Sequence, residues 1–148
     1  MDNTPLNIVL ADDDESDRLL FSEALNELKH KTTVHTVNDG AELMEYLFDE
    51  HTVLPYILFL DLNMPKKSGL ECLKEIKNDD RLKSIVVAIY STSSSEKDID
   101  ETYINGANIY IKKPNDYNTL KAVLEKVLSA AYVYIEPPFN IANFMFRI

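Results

Sequence analysis

The chain has one cysteine, Cys72, and no tryptophan. A single thiol excludes an intramolecular disulfide and suits a reducing compartment. Positive charge is scarce as well: 15 Lys+Arg stand against 25 Asp+Glu, a formal net charge of −10. Nucleic acids are held mainly through Lys and Arg contacts to phosphate, so this balance argues against a nucleic-acid partner and a DNA-binding output. No uncharged stretch of the body reaches the ~18 apolar residues that a membrane span requires. The opening Met1-Asp2-Asn3-Thr4-Pro5 has no basic region followed by an apolar one, so no secretory signal is expected. Internal repeats, low-complexity tracts and interdomain linkers are also missing. What remains is a chain of 148 residues with 45% hydrophobic and 27% charged residues. That is one domain, able to bury about two thirds of its unfolded surface, and the expected location is the cytoplasm.

Five apolar, strand-like runs alternate with helical patterns. Leu6–Ala11 reads as a buried strand that ends at Asp12-Asp13-Asp14. A helix follows from about Ser16 to Leu28, with Leu20, Phe21, Ala24, Leu25 and Leu28 expected on one face. Thr32–Val37, rich in β-branched residues, is a second strand. Asp39 and Glu42 have the spacing of a capping box that opens a helix through about Asp49. Ile57–Leu62 is the third strand and contains Asp61 near its end. Ser68 and Glu71 mark the next helix start, with Leu70, Leu73 and Ile76 on one face. Ile85–Tyr90 is the fourth strand and runs into Ser91-Thr92-Ser93-Ser94-Ser95, where Ser93 and Glu96 have capping-box spacing. Ile109–Ile111 is the fifth strand, followed by Lys112-Lys113-Pro114. The last helix, from about Asp116, carries Leu120, Val123, Leu124, Val127, Leu128 and Ala131 on one stripe.

This alternation predicts an α/β fold with a parallel sheet covered on both faces. Functional crevices in such sheets lie beyond the carboxyl ends of the strands. Asp12 and Asp13, Asp61, Ser91 and Lys113 all fall there, at the ends of four different strands. Clustered carboxylates repel one another; two unit charges 4 Å apart at an effective dielectric near 20 cost about 4 kcal/mol. A divalent cation relieves that repulsion, and an oxygen-only donor set favours Mg²⁺ over Zn²⁺. Asp61 is then a candidate nucleophile toward a phosphoryl group, with Lys113 as a positive charge and Ser91 as a hydroxyl donor.

Asp12-Asp13, Asp61-Leu62-Asn63-Met64-Pro65 with Gly69, Ser91-Thr92, Tyr110 and Lys113-Pro114 closely resemble the receiver domain of two-component response regulators, over about Leu6 to Ala131. The resemblance implies a flavodoxin-like (βα)5 fold with a five-stranded parallel sheet of order 2-1-3-4-5. It implies that Asp61 accepts phosphate from a histidine kinase or phosphotransfer protein. Asp13, Asp61 and the Asn63 carbonyl would bind Mg²⁺ directly, and Asp12 mainly through water. Lys113 would pair with the phosphoryl group, Ser91 would move to bond it, and Tyr110 occupies the place of the family's rotating aromatic switch. Asn63 and Thr92 sit where the family tunes access of the water that removes the phosphate. Lys113-Pro114 is where the family commonly has a cis peptide. The chain is expected to act as a phosphoacceptor with self-catalysed chemistry rather than as a turnover enzyme, and to signal by contact with a downstream protein.

Other readings stand beside these. Asp12-Asp13-Asp14-Glu15 also suits an acidic helix start. Ser91 and Thr92 suit strand-end hydroxyls, Tyr110 an edge packing residue, Lys66 and Lys67 a solvated loop or a steering pair, and Cys72 core packing. A degenerate receiver serving as a constitutive interaction module would lack one of Asp13, Asp61 or Lys113. A small Mg²⁺-dependent aspartyl-phosphate phosphatase would need an acid where Asn63 stands. Residues 132–148 exceed the family's length and hold Tyr132, Tyr134, Phe139, Phe144 and Phe146 with only Glu136 and Arg147 charged. This extension, following a receiver of residues 1–131, is expected to be buried: against its own domain, in a homodimer by strand addition through Ile141–Ile148, or on a membrane surface, which the net charge disfavours.

Overall fold

A computed structural model describes residues 5–129 and 145–146. The first strand, β1 (Leu6–Ala11), shows why the sheet is covered on both sides. Its side chains alternate in direction, and Ile8, Val9, Leu10 and Ala11 are all fully buried. Ile8 and Leu10 join one core and Val9 and Ala11 another. The same division runs through β3 (Ile57–Leu60), β4 (Val86–Ser91) and β5 (Ile109–Lys112). A strand apolar at every position therefore needs two layers of helix.

One layer holds α1 (Glu15–Asn26) and α5 (Tyr117–Ser129), whose Phe21, Leu25, Leu120, Leu124 and Val127 pack on Ile8, Phe59 and Ile111. The opposite layer holds α2 (Gly40–Phe48), α3 (Gly69–Lys77) and α4 (Glu96–Ile104), with Leu43, Leu47, Leu73, Ile76 and Ile99 on Val9, Leu58 and Ile89. The edge strand β2 (Thr32–Val37) alternates half-buried and exposed positions before Val37 enters the core. The pairing is parallel throughout, and the first five strands take the order 2-1-3-4-5. A two-residue strand, β6 (Met145–Phe146), extends the sheet beside β5, with Tyr110 opposite Met145 and Ile111 opposite Phe146. Strand addition by the terminal extension thus occurs on the chain's own β5. The rest of the 132–148 reading, and Ala131, lie outside the described residues.

Local details depart from expectation in three places. Leu20 is 44% exposed, because the buried stripe of α1 runs through Phe21, Ala24 and Leu25 at i, i+3 and i+4. The cap of α4 is Ser95, whose hydroxyl accepts from Asp98 N–H, rather than Ser93; the Ser93 hydroxyl instead donates to the Asp98 carboxylate at 2.6 Å. The Lys113–Pro114 peptide is trans, the form X–Pro bonds ordinarily favour by about 0.5–1 kcal/mol. The capping box of α3 is complete, with Ser68 and Glu71 bonding each other's backbone N–H. At α2 the Asp39 carboxylate accepts from Glu42 N–H.

Candidate functional site

The strand-end residues are fixed by hydrogen bonds that carry the parallel ladder one residue past each strand. Asp12 N–H donates to the Val37 carbonyl at 3.1 Å, Asp61 N–H to Ala11 at 3.0 Å, and Lys113 N–H to Ser91 at 2.8 Å. The strands point the same way, so the three side chains emerge on one rim, between the helix layers. Asp12, Asp13 and Asp61 bring carboxylate oxygens within 4.8 Å of one another. The Lys113 ammonium lies 2.8 Å from Asp12 Oδ2, 2.9 Å from Asp17 Oδ2 and 3.3 Å from Asp61 Oδ2.

Burial sets the electrostatics here. It pushes the Asp61 carboxyl up to about 6; the Lys113 charge opposes this and the Asp12 charge adds to it. Burial alone would lower Lys113, but its close contacts with Asp12 and Asp17 and the charges of Asp12 and Asp61 outweigh it and hold the ammonium above the ordinary lysine value. The Lys113 ammonium also stands 5.4 Å from the Tyr90 ring centroid. Asp12 Oδ2 is buried with the ammonium as its ionic neighbour but without a hydrogen bond of good geometry. An under-coordinated buried oxygen in an all-oxygen carboxylate set fits a hard divalent cation such as Mg²⁺.

Around this centre, Ser91 is fully buried and its hydroxyl accepts from Ser93 N–H at 3.1 Å. Thr92 is exposed beside it. Tyr110 is 1% exposed, and its hydroxyl donates to the Ser93 carbonyl at 2.8 Å. Burial raises its phenol pKa. Asn63 N–H approaches Asp61 Oδ1 at 3.4 Å, and Asn63 lines a cavity of about 140 Å³ with Leu62, Ser68, Leu70, Asp98, Glu101 and Thr102. Lys66 and Lys67 are engaged rather than free: Lys66 lies 3.6 Å from Asp39, and Lys67 pairs closely with Glu75. Cys72 is fully buried, and burial pushes its thiol up to about 12, as a packing residue requires.

Sequence reasoning placed Gly69 in the motif without its steric role and missed two contributors, Arg18 and Asp17. Gly69 lets α3 start against the site: a Cβ there would lie 2.1 Å from the Asp61 carbonyl oxygen. Arg18 donates to the Asp12 carbonyl at 2.8 Å. Asp17 supplies the third carboxylate on Lys113. Asp17 and Arg18 belong to α1, and only the direction in which that helix leaves β1 turns them back onto the rim. Their one sequence signal is placement in the first turn after the Asp12-Asp13 pair.

Residues 8–125 match the response regulator receiver domain, and the chain belongs to that family of two-component signalling proteins. Particular relatives follow. Response regulator Rcp1 of Synechocystis is 32% identical over 131 residues, covering 86% of this chain and 89% of that protein. The "Probable methanogenesis regulatory protein FilR2" of Methanothrix harundinacea is 32% identical, covering 83% of this chain and 81% of its relative. The crystal structure of the phosphorylated cyanobacterial phytochrome response regulator RcpA superposes with a TM-score of 0.80 at 37% identity, over 86% of this chain and 94% of that one. A structure of Rcp1 in its Mn²⁺-bound form gives a TM-score of 0.78 at 32% identity, over 84% and 93%. Among the described residues, no helix is long and apolar enough to cross a membrane.

Proposed function

We propose that Asp61 is a phosphoacceptor and that the protein signals through contacts that change when it is phosphorylated. The observation that carries this reading is the convergence of Asp12, Asp13, Asp61 and the Lys113 ammonium on one rim. An Asp61 carboxylate oxygen attacks phosphorus, and the bond from phosphorus to the donor breaks with its electron pair leaving on the donor. For a phosphohistidine donor that atom is an imidazole nitrogen; for acetyl phosphate it is an acetate oxygen. Asp13, Asp61 and the Asn63 carbonyl would hold Mg²⁺, with Asp12 acting through water. The ion supplies positive charge opposite the phosphoryl oxygens. Lys113 pairs with the same oxygens from the side, and the Ser91 hydroxyl turns from Ser93 N–H to donate to one of them. Ser93 then links Ser91 to Tyr110, whose hydroxyl it holds through its carbonyl. This gives the phosphorylated site a route to α4 and β5.

The donor is a histidine kinase or phosphotransfer protein. The phytochrome response regulator named among the similar structures makes a phytochrome-class kinase the first to assay. The chain works in the cytoplasm as a signalling partner rather than as a turnover enzyme. Met145–Phe146 pairs with the chain's own β5, so the terminal extension serves its own domain rather than a homodimer; deleting residues 137–148 should leave the oligomeric state by light scattering unchanged, and conversion of a dimer to a monomer overturns that part. The phosphoacceptor itself is tested by incubation with Mg²⁺ and acetyl phosphate, followed by intact mass. The wild type should gain one phosphate and Asp61→Asn none. No adduct on the wild type, or an undiminished adduct on Asp61→Asn, overturns the reading.

A further inference from the structure

The Lys113 ammonium has three N–H donors, and the fold presents it with three carboxylates. Two of them, Asp12 and Asp61, belong to the cluster suited to a cation. Asp17 does not. It lies in the first turn of α1, its side chain is 36% exposed, and it reaches the ammonium from the outer side of the rim at 2.9 Å. Its own backbone N–H is tied to the Asp14 carboxylate at 2.9 Å, so the helix start fixes where its side chain begins. Asp17 therefore contacts the charge that serves the phosphoryl group without contacting the phosphoryl site itself.

We propose that Asp17 is a positioning residue that restrains Lys113, holding one donor of the ammonium at the pocket edge and slowing its delivery to a phosphoryl group on Asp61. This inference rests on the phosphoacceptor reading of Asp61. Of the three contacts, those to Asp12 and Asp17 are short and that to Asp61 is the longest. A phosphoryl group arriving on Asp61 brings about 1.5–2 negative charges and new acceptor oxygens; these take over the donor that faces Asp61, and the ammonium must shift toward them against its two short contacts. Asp12 is fully buried, and leaving it unpaired carries a large desolvation cost. Asp17 is partly exposed and is rehydrated on release, so it is the partner that lets go. Its hold then enters the barrier, because charge on the phosphoryl oxygens is neutralised fully only after Lys113 moves. Asp17 also adds its negative charge to the field met by an anionic donor. Asp14, in the same turn, shares that general effect but not the contact.

The test is the initial rate of phosphate incorporation into the full chain with Mg²⁺ and increasing acetyl phosphate, followed by intact mass. Asp17→Asn, which keeps shape and removes charge, should raise the rate at saturating donor about three- to tenfold. Asp17→Ser, a second neutral replacement, should do the same, and Asp17→Glu should stay within about twofold of wild type. Asp14→Ser removes the same charge while keeping a helix cap; it should act only on the donor concentration needed for half-maximal rate. No acceleration in Asp17→Asn and Asp17→Ser, or an equal acceleration at saturation in Asp14→Ser, overturns the role of Asp17 and leaves the phosphoacceptor reading standing. Failure of the wild type to take up phosphate overturns both.

Discussion

Asp61 is held where an ionised carboxylate is poorly tolerated, since burial and the neighbouring Asp12 charge together outweigh Lys113 and bring its carboxyl to about 6. In the unfolded chain the group titrates near 3.8. Between those values the folded state holds a proton that the unfolded state has lost. Asp61 therefore supports folding below about pH 4, and that support disappears as pH rises through about 6. Without divalent cation, Asp61→Asn should melt above the wild type at pH 7.5 by about 2–5 °C, the gap closing toward pH 4.5. Calorimetry across that range checks it; a gap that widened toward acid would contradict the burial argument. Mg²⁺ should raise the melting temperature of the wild type and not of Asp61→Asn, because only a ligand bound to the native state stabilises it. Thr92 is exposed next to buried Ser91, and on the proposed phosphoacceptor reading it would shield phosphorylated Asp61 from a hydrolytic water. Thr92→Ala should shorten the phosphate half-life about twofold or more, measured by intact mass after donor removal; an unchanged half-life removes that role. The fold also places Lys66 at φ 68°, where a side chain is disfavoured. Lys66→Gly should gain about 0.5–1 kcal/mol in urea unfolding.

At the scale of elements, the pocket stands on an aromatic floor. Phe59 of β3 meets Phe21 of α1 edge-on at 4.9 Å and Tyr90 of β4 at 6.3 Å. These rings are buried two residues before Asp61 and one before Ser91. Phe59→Ala should lose about 3–5 kcal/mol of stability by denaturant titration. Strand limits were legible because apolar runs stop at charged or polar residues: β1 and β2 take their predicted bounds, and β3, β4 and β5 differ by one or two residues. Helix starts were legible where one polar residue offers a cap, as at Asp39 and Ser68. The serine run before α4 offers several, and the choice of Ser95 over Ser93 follows from Ser93 being engaged by Ser91, Tyr110 and Asp98. Those are contacts between elements, which no local pattern encodes.

Across the whole molecule, the acidic balance has two parts. Asp12, Asp13, Asp17 and Asp61 are concentrated around Lys113, whereas the other acids among the described residues are largely at the surface. The sixth strand lies beside Tyr110 and Ile111 of β5, at the side of the sheet away from β2. By itself the sequence determined the alternation of strands and helices, the two-sided burial, and the fact that Asp12, Asp61, Ser91 and Lys113 sit at strand ends. Each of these is local, a matter of period and of where an apolar run is broken. Only the tertiary structure decided that Asp17 and Arg18 turn back to the rim, that Gly69 must lack a side chain, that Lys113 is shared among three carboxylates, and that Met145–Phe146 joins β5. Those outcomes depend on distances between segments far apart in the chain, which close packing sets and one-dimensional patterns do not contain.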